Sequence, residues 1–274
     1  MPAVSVWDPL FHVRSNAFHA LRPLAVRLPQ ATWPTCSDLT QLARGCDSPV
    51  LTAGGHAIEF VQPRPAERSA ARYEQRIAQT GNVEHREASW HDLFNALAWM
   101  TFPRTKAALN ARHVAELAKH RQGQRSPTRD ALTQFDEDGM VVVSEQADLL
   151  DLLHAFRWSE LFWRQRNEVT RSMRWFVFGH AQYEKALQPF VGLTAKALTL
   201  SVQPGFCALP AAAQIERVDR LTAGIVAQPD QLASPRDLAP VPVLGIPGWS
   251  AQSEHESFYE DRRYFRSGRQ CTTA

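Results

Sequence analysis

The chain has 274 residues, 44% of them hydrophobic and 21% charged, a balance that permits a sizeable core and excludes a disordered polyelectrolyte. Its net charge of +2 is too small to demand a polyanionic partner on its own. Cys36, Cys46, Cys207 and Cys271 form no CxxC pair, which excludes a thiolate zinc site and fits a reducing compartment. The first residues lack a charged start followed by an apolar run, and no apolar stretch reaches membrane-spanning length, so a cytoplasmic protein is expected.

In chain order, residues 1–66 are proline-rich and read as an N-terminal extension lying on the core, with residues 67–274 as the main helical domain of one compact unit. Ser15 is placed to cap a helix carrying Phe18, Leu21 and Leu24, and Ser37 one carrying Leu39 and Leu42. The run from His56 to Val61 reads as a short strand ending before Pro63. Residues 67–79 read as a helix stopped by Gly81. Ser89 caps a strong helical segment in which Leu93, Phe94, Leu97 and Met100 repeat at three and four. Pro103 bends the chain into a second helix over 104–121.

Residues 124–139 carry turn chemistry ending in Asp136-Glu137-Asp138-Gly139, and the β-branched run Met140 to Val143 follows as a strand. Helices are expected at 146–156, 158–167, 171–188 and 210–227, with a strand over 194–202 and an extended proline-rich stretch over 234–247. The sum is a mainly α chain with a few short β-strands, an α+β helical globular domain with a small sheet.

The densest chemistry sits on the helix pair. His91 and Asn95 share one face, with Asp92 about 100° away. On the next helix Lys106, Asn110 and His113 share a face, and Arg104 lies at the bend. If the pair folds back, imidazole, amide, guanidinium and ammonium groups converge on a cleft suited to an anionic ligand. His91, Asp92, Asn95, Arg104, Lys106 and Asn110 are therefore the candidate catalytic residues. His180 and Glu184 stand four apart on one helical face, and with Asp136 and Glu137 they form the candidate metal set for a divalent ion. Neither the HExxH pattern nor the EF-hand spacing is present. Seven Arg or Lys lie between Arg104 and Arg129, and seven acids between Asp130 and Asp151, which reads either as an internal charge match or as a phosphate-binding surface. Aromatics interleave with basic residues in the tail, from Phe258-Tyr259 to Tyr264-Phe265-Arg266.

Several blocks resemble a bacterial family, domain-of-unknown-function family 3025. They are Tyr73-Glu74 with Thr80-Gly81, the stretch His91-Asp92-Leu93-Phe94-Asn95-Ala96-Leu97, Phe102-Pro103-Arg104-Thr105-Lys106, and Leu109-Asn110. Phe135-Asp136-Glu137, Phe178-Gly179-His180-Ala181 with Glu184-Lys185, Gly192-Leu193-Thr194-Ala195 and Pro247-Gly248-Trp249 extend the resemblance over residues 70–269. It implies no activity, cofactor or catalytic residue. From the residues themselves, the leading expectation is a hydrolase acting on an anionic, phosphate-containing substrate, with or without metal assistance. The alternative is a non-catalytic protein that binds nucleic acid or another protein.

Overall fold

A computed structural model describes residues 6–63, 70–119 and 126–268. In chain order the regular elements are α1 (Arg22–Ala25), α2 (Cys36–Arg44), β1 (Glu59–Val61), α3 (Ala70–Thr80), β2 (Asn82–Glu84), α4 (Trp90–Thr101), α5 (Pro103–Lys119) and α6 (Pro127–Asp138). They continue with β3 (Gly139–Ser144), α7 (Ala147–His154), α8 (Arg166–Ser172), β4 (Met173–Val177), α9 (His180–Ala186), β5 (Thr194–Ser201), α10 (Ala211–Val226) and β6 (Ala239–Pro242). Helix makes up 54% and strand 12%, an α+β architecture.

The centre is a four-stranded mixed sheet in the order β4-β3-β5-β6, antiparallel at both outer pairs and parallel between β3 and β5. Every residue of β3, Gly-Met-Val-Val-Val-Ser, is buried, because helices cover both faces of the sheet. Met140 and Val142, with Trp175 and Val177 of β4, face one hydrophobic cluster that includes α4, α7, α9 and the N-terminal segment. Val141 and Val143, with Phe176, face the other, built from α5, α6 and α10. A second, two-stranded sheet pairs β1 with β2 in parallel across α3.

The N-terminal segment fastens the helices that matter most below. Phe18 stacks on Phe94 of α4 at 5.8 Å and on Tyr183 of α9 at 6.0 Å. Trp7, Trp33 and Trp90 form a tight aromatic group beside them. The tail is likewise built into the core: Tyr259, Tyr264 and Phe265 are buried, and the Tyr264 hydroxyl donates to the Leu193 carbonyl at 2.8 Å.

Local expectations fare unevenly. Ser15 and Ser89 do cap, accepting from Ala17 N and Asp92 N. The α2 cap is Thr35 rather than Ser37, because Thr35 and Asp38 make a reciprocal capping box. The strand expected from His56 is regular only from Glu59, and the helix expected from residue 67 is described only from Ala70, residues 64–69 lying outside the described residues. The stretch expected as a turn is the helix α6. Ser126 caps it, Pro127 occupies its first position, and Ala131, Leu132 and Phe135 form its buried face. The single helix expected over 171–188 is interrupted by strand β4, which ends before Gly179. A strand buried on nearly all its positions shows no alternation, so its apolar run is indistinguishable from buried helix in sequence. The split expected near Arg157 falls where α7 ends after His154, and the helix expected over 158–167 carries a π-helical turn, Glu160–Arg164.

Candidate metal centre

The site forms where two junctions touch. The chain leaves α6 for β3 at Gly139 and leaves β4 for α9 at Gly179, and both Phe178 N and Gly179 N donate to the Gly139 carbonyl at 2.9 Å. A Cβ on Gly179 would lie 2.5 Å from the Glu137 carbonyl carbon, so only glycine permits this approach. The residues flanking the crossing, Glu137 at the end of α6 and His180 at the start of α9, are thereby brought together. His180 Nε2 lies 3.4 Å from Glu137 Oε2. Helix α4 packs against α9 through Phe94 and Tyr183, whose rings stack at 5.6 Å. That contact sets His91, in the first turn of α4, edge-on to His180 at 4.4 Å between ring centroids.

His91, Glu137 and His180 each offer a ligand atom, and the three atoms lie within 4.8 Å of one another. A tetrahedral ion with metal–nitrogen bonds of about 2.1 Å has donors about 3.4 Å apart. The His180–Glu137 pair already has that spacing, and His91 has to close by an ångström or so. The Nδ1 of His91 sits 3.1 Å from Glu184 Oε2. An imidazole held at Nδ1 by a carboxylate is oriented to ligate through Nε2, so Glu184 aims His91. His180 is buried, and its Nδ1 has no hydrogen-bond partner among the described residues. Burial pushes the Glu137 carboxyl up, but the hydrogen bond and charge of His180 outweigh it and hold the group below its ordinary value, an ionised ligand at neutral pH.

Behind this trio runs a buried polar network. Lys106 Nζ donates to Asn95 Oδ1 at 2.9 Å and to Asp136 Oδ1 at 2.6 Å, and it sits 5.4 Å over the Trp99 ring. Asn95 Nδ2 donates to the Tyr73 hydroxyl at 3.2 Å. Asn110 Nδ2 donates to both the main-chain oxygen and the carboxylate of Glu74. Burial pushes the Asp136 carboxyl up, yet the charge and hydrogen bond of Lys106, with the nearby His180 and His113, together more than offset it and the group stays below its usual range. Glu74 goes the other way: burial dominates and raises it above the ordinary carboxylate value, despite the nearby His113. These residues line an interior crevice too small for a substrate.

The sequence-derived candidates thus divide. Asn95 and Lys106 do meet, from two helices hinged at Pro103, but in a nearly sealed interior rather than an open cleft. Asn110 faces α3. Asp92 turns away from His91 and binds the Arg86 main-chain N, Nε and Nη2, closing the loop before α4. Arg104 lies on the opposite side, where Glu216 takes its guanidinium and Asp219 its main-chain N–H. Of the candidate metal set, Glu137 and His180 gather with His91, Glu184 supports His91, and Asp136 belongs to Lys106. The same-face pairing expected between His180 and Glu184 does not form, since each turns to a different neighbour. From the residues alone His91 was open to either general-base or metal-ligand work, while Tyr73 and Glu74 were passed over although both stand in the blocks that carry the family resemblance.

The family described as "Protein of unknown function (DUF3025)" matches residues 58–269, most of the chain and all of the residues just named. The chain belongs to that family. No curated protein and no solved structure matches it. Among the described residues, no helix is long and apolar enough to cross a membrane.

Proposed function

We propose that this DUF3025 chain is a metal-dependent hydrolase whose divalent ion is held by His91, Glu137 and His180. The convergence of two imidazoles and a carboxylate from three helices carries the reading. Two histidines and a glutamate leave at least one coordination position for water or substrate, the pattern of a catalytic rather than a structural zinc site. The side chains of His91 and Glu137 are 34% and 39% exposed, so that position faces solvent. A dication there supplies an activated water and polarises a phosphoryl or carbonyl oxygen.

An anionic substrate fits the rim. Arg86, whose guanidinium feels the charge of Glu184, and Lys185, paired with Asp138 beside Glu137, are both exposed cations near the trio. Arg104 is turned to Glu216 of α10 and Lys106 is buried against Asp136, so neutralising the substrate falls chiefly to the ion. The basic helix α5 favours no nucleic-acid surface: Arg112 donates to the main-chain oxygens of Val226 and Pro229, and Lys119 pairs with Glu116.

The test is elemental analysis of the purified chain together with zinc titration and turnover of bis(p-nitrophenyl) phosphate. One divalent ion per chain and metal-dependent turnover are expected, both lost in His180→Ala and Glu137→Ala. A folded chain that takes up no zinc, manganese or iron sinks the reading.

A further inference from the structure

A second concave site lies on other elements, between the π-helical turn and the C-terminal segment. It is an open cleft of about 800 Å³, within the size range of small-molecule sites. Phe156, Trp158, Tyr259 and Phe265 contribute its aromatic wall, and its charged edge carries Arg157, Arg164 and Arg262 against Glu160 and Glu260.

Three observations mark it as a built site. First, Phe156 has φ +58° just past the end of α7, a position where a helix ordinarily places glycine. A bulky side chain is held there against its backbone preference. The ring packs edge-on to Trp158 at 5.6 Å and lies against Gly268, where an added Cβ would lie 2.5 Å from the ring. Trp158 is itself fixed by its indole N–H, which donates to the Arg266 carbonyl at 2.9 Å. Second, Gln165 N bonds to Glu160 O at 2.8 Å, so Arg164 projects from a π-helical turn, an irregularity frequent at functional sites. Third, the guanidinium groups of Arg164 and Arg262 have no hydrogen bond or ion pair among the described residues. The third guanidinium, Arg157, is occupied by Glu160.

We infer that this cleft binds a nucleotide-class ligand, a planar ring carrying a phosphate, with Phe156 against the ring, Trp158 buried behind it, and Arg164 and Arg262 on the phosphate. Guanidinium forks match phosphate oxygens bidentately, and aromatic faces take any base. The inference uses none of the groups at the metal centre and stands or falls independently of it.

The test is calorimetric titration with AMP at low ionic strength, beside adenosine and inorganic phosphate. Saturable binding of AMP is expected, weakened by salt, with each separate half binding far less well. Both arginines are exposed, so the double variant Arg164→Gln/Arg262→Gln folds, and it should lose affinity by about tenfold or more. Phe156→Gly removes the wall and, read at a temperature where the variant is folded, should bind AMP more weakly. His180→Ala should bind AMP as wild type does. Absence of AMP binding, or binding unchanged in the arginine double variant, overturns the inference, as does adenosine binding as tightly as AMP.

Discussion

Replacing Gly179 by alanine tests how the site is assembled. The new Cβ would stand 2.5 Å from the Glu137 carbonyl carbon and press on the Glu137 oxygen and Gly139 nitrogen, whereas real Cβ contacts essentially never fall below 3.0 Å. All three obstacles are backbone, so no side chain swings aside, and the two junctions have to part by at least about 0.5 Å. Overpacking of this kind costs roughly 1–3 kcal/mol. For a chain of this size that lowers the melting temperature by roughly 2–10 °C. The same movement widens the Glu137–His180 gap beyond its present 3.4 Å, so zinc affinity should fall by about tenfold or more, the effect of losing a group that orients a ligand. Differential scanning fluorimetry and competition with a chromophoric zinc chelator read the two effects. Gly224→Ala is the control: nothing lies within 4 Å of its Cβ, and its place inside α10 makes alanine stabilising by about 0.5–1 kcal/mol. A Gly179→Ala chain with wild-type melting and wild-type zinc affinity refutes the account. Lost stability with unchanged affinity would show that the junction supports the fold but does not space the ligands.

Three further outcomes follow from the network behind the site. Lys106→Met strands the partly buried Asp136 charge and should destabilise the chain by about 1–3 kcal/mol in urea unfolding, while Lys106→Met/Asp136→Asn should cost clearly less than the sum of the single changes. Additive losses would show that the pair does not act as a unit. At Asp92, burial raises the carboxyl but the Arg86 bonds outweigh it and set it below the ordinary value. Its contribution is therefore full above about pH 3.9 and lost as pH falls through the folded value, so Asp92→Asn should destabilise at neutral pH and converge on wild type in acid. Glu74 has the opposite sign: its raised carboxyl contributes most below about pH 4.3 and loses that contribution as pH rises through the folded value. Melting temperatures of Glu74→Gln relative to wild type should accordingly climb between pH 4 and pH 7, on the order of those reference values, and a flat difference contradicts the burial argument.

Elements whose signals are local were legible in the amino acids. Ser89 ahead of an apolar repeat marks the start of α4, Pro103 marks the first position of α5, and the valines of β3 mark the central strand. The residue types of the candidate site were legible too, because imidazoles, carboxylates, Lys106 and Asn95 stand out among apolar neighbours. Their grouping was not. Asp92 adjoins His91 in the chain yet serves Arg86, and Asp136 adjoins Glu137 yet serves Lys106, since neighbours on a helix point about 100° apart.

What decided the grouping is long-range. Glu137 meets His180 because a helix-to-strand junction and a strand-to-helix junction cross at two glycines, and His91 joins them because Phe94 stacks on Tyr183. Local sequence contains neither event: the acidic run at the end of α6 looks like a turn until Leu132 and Phe135 find a core to bury in, and β4 looks like helix until it pairs with β3. Which side chains share a site depends on which backbones touch. The chain alone determined the ingredients, and only tertiary contact between segments dozens of residues apart determined their combination.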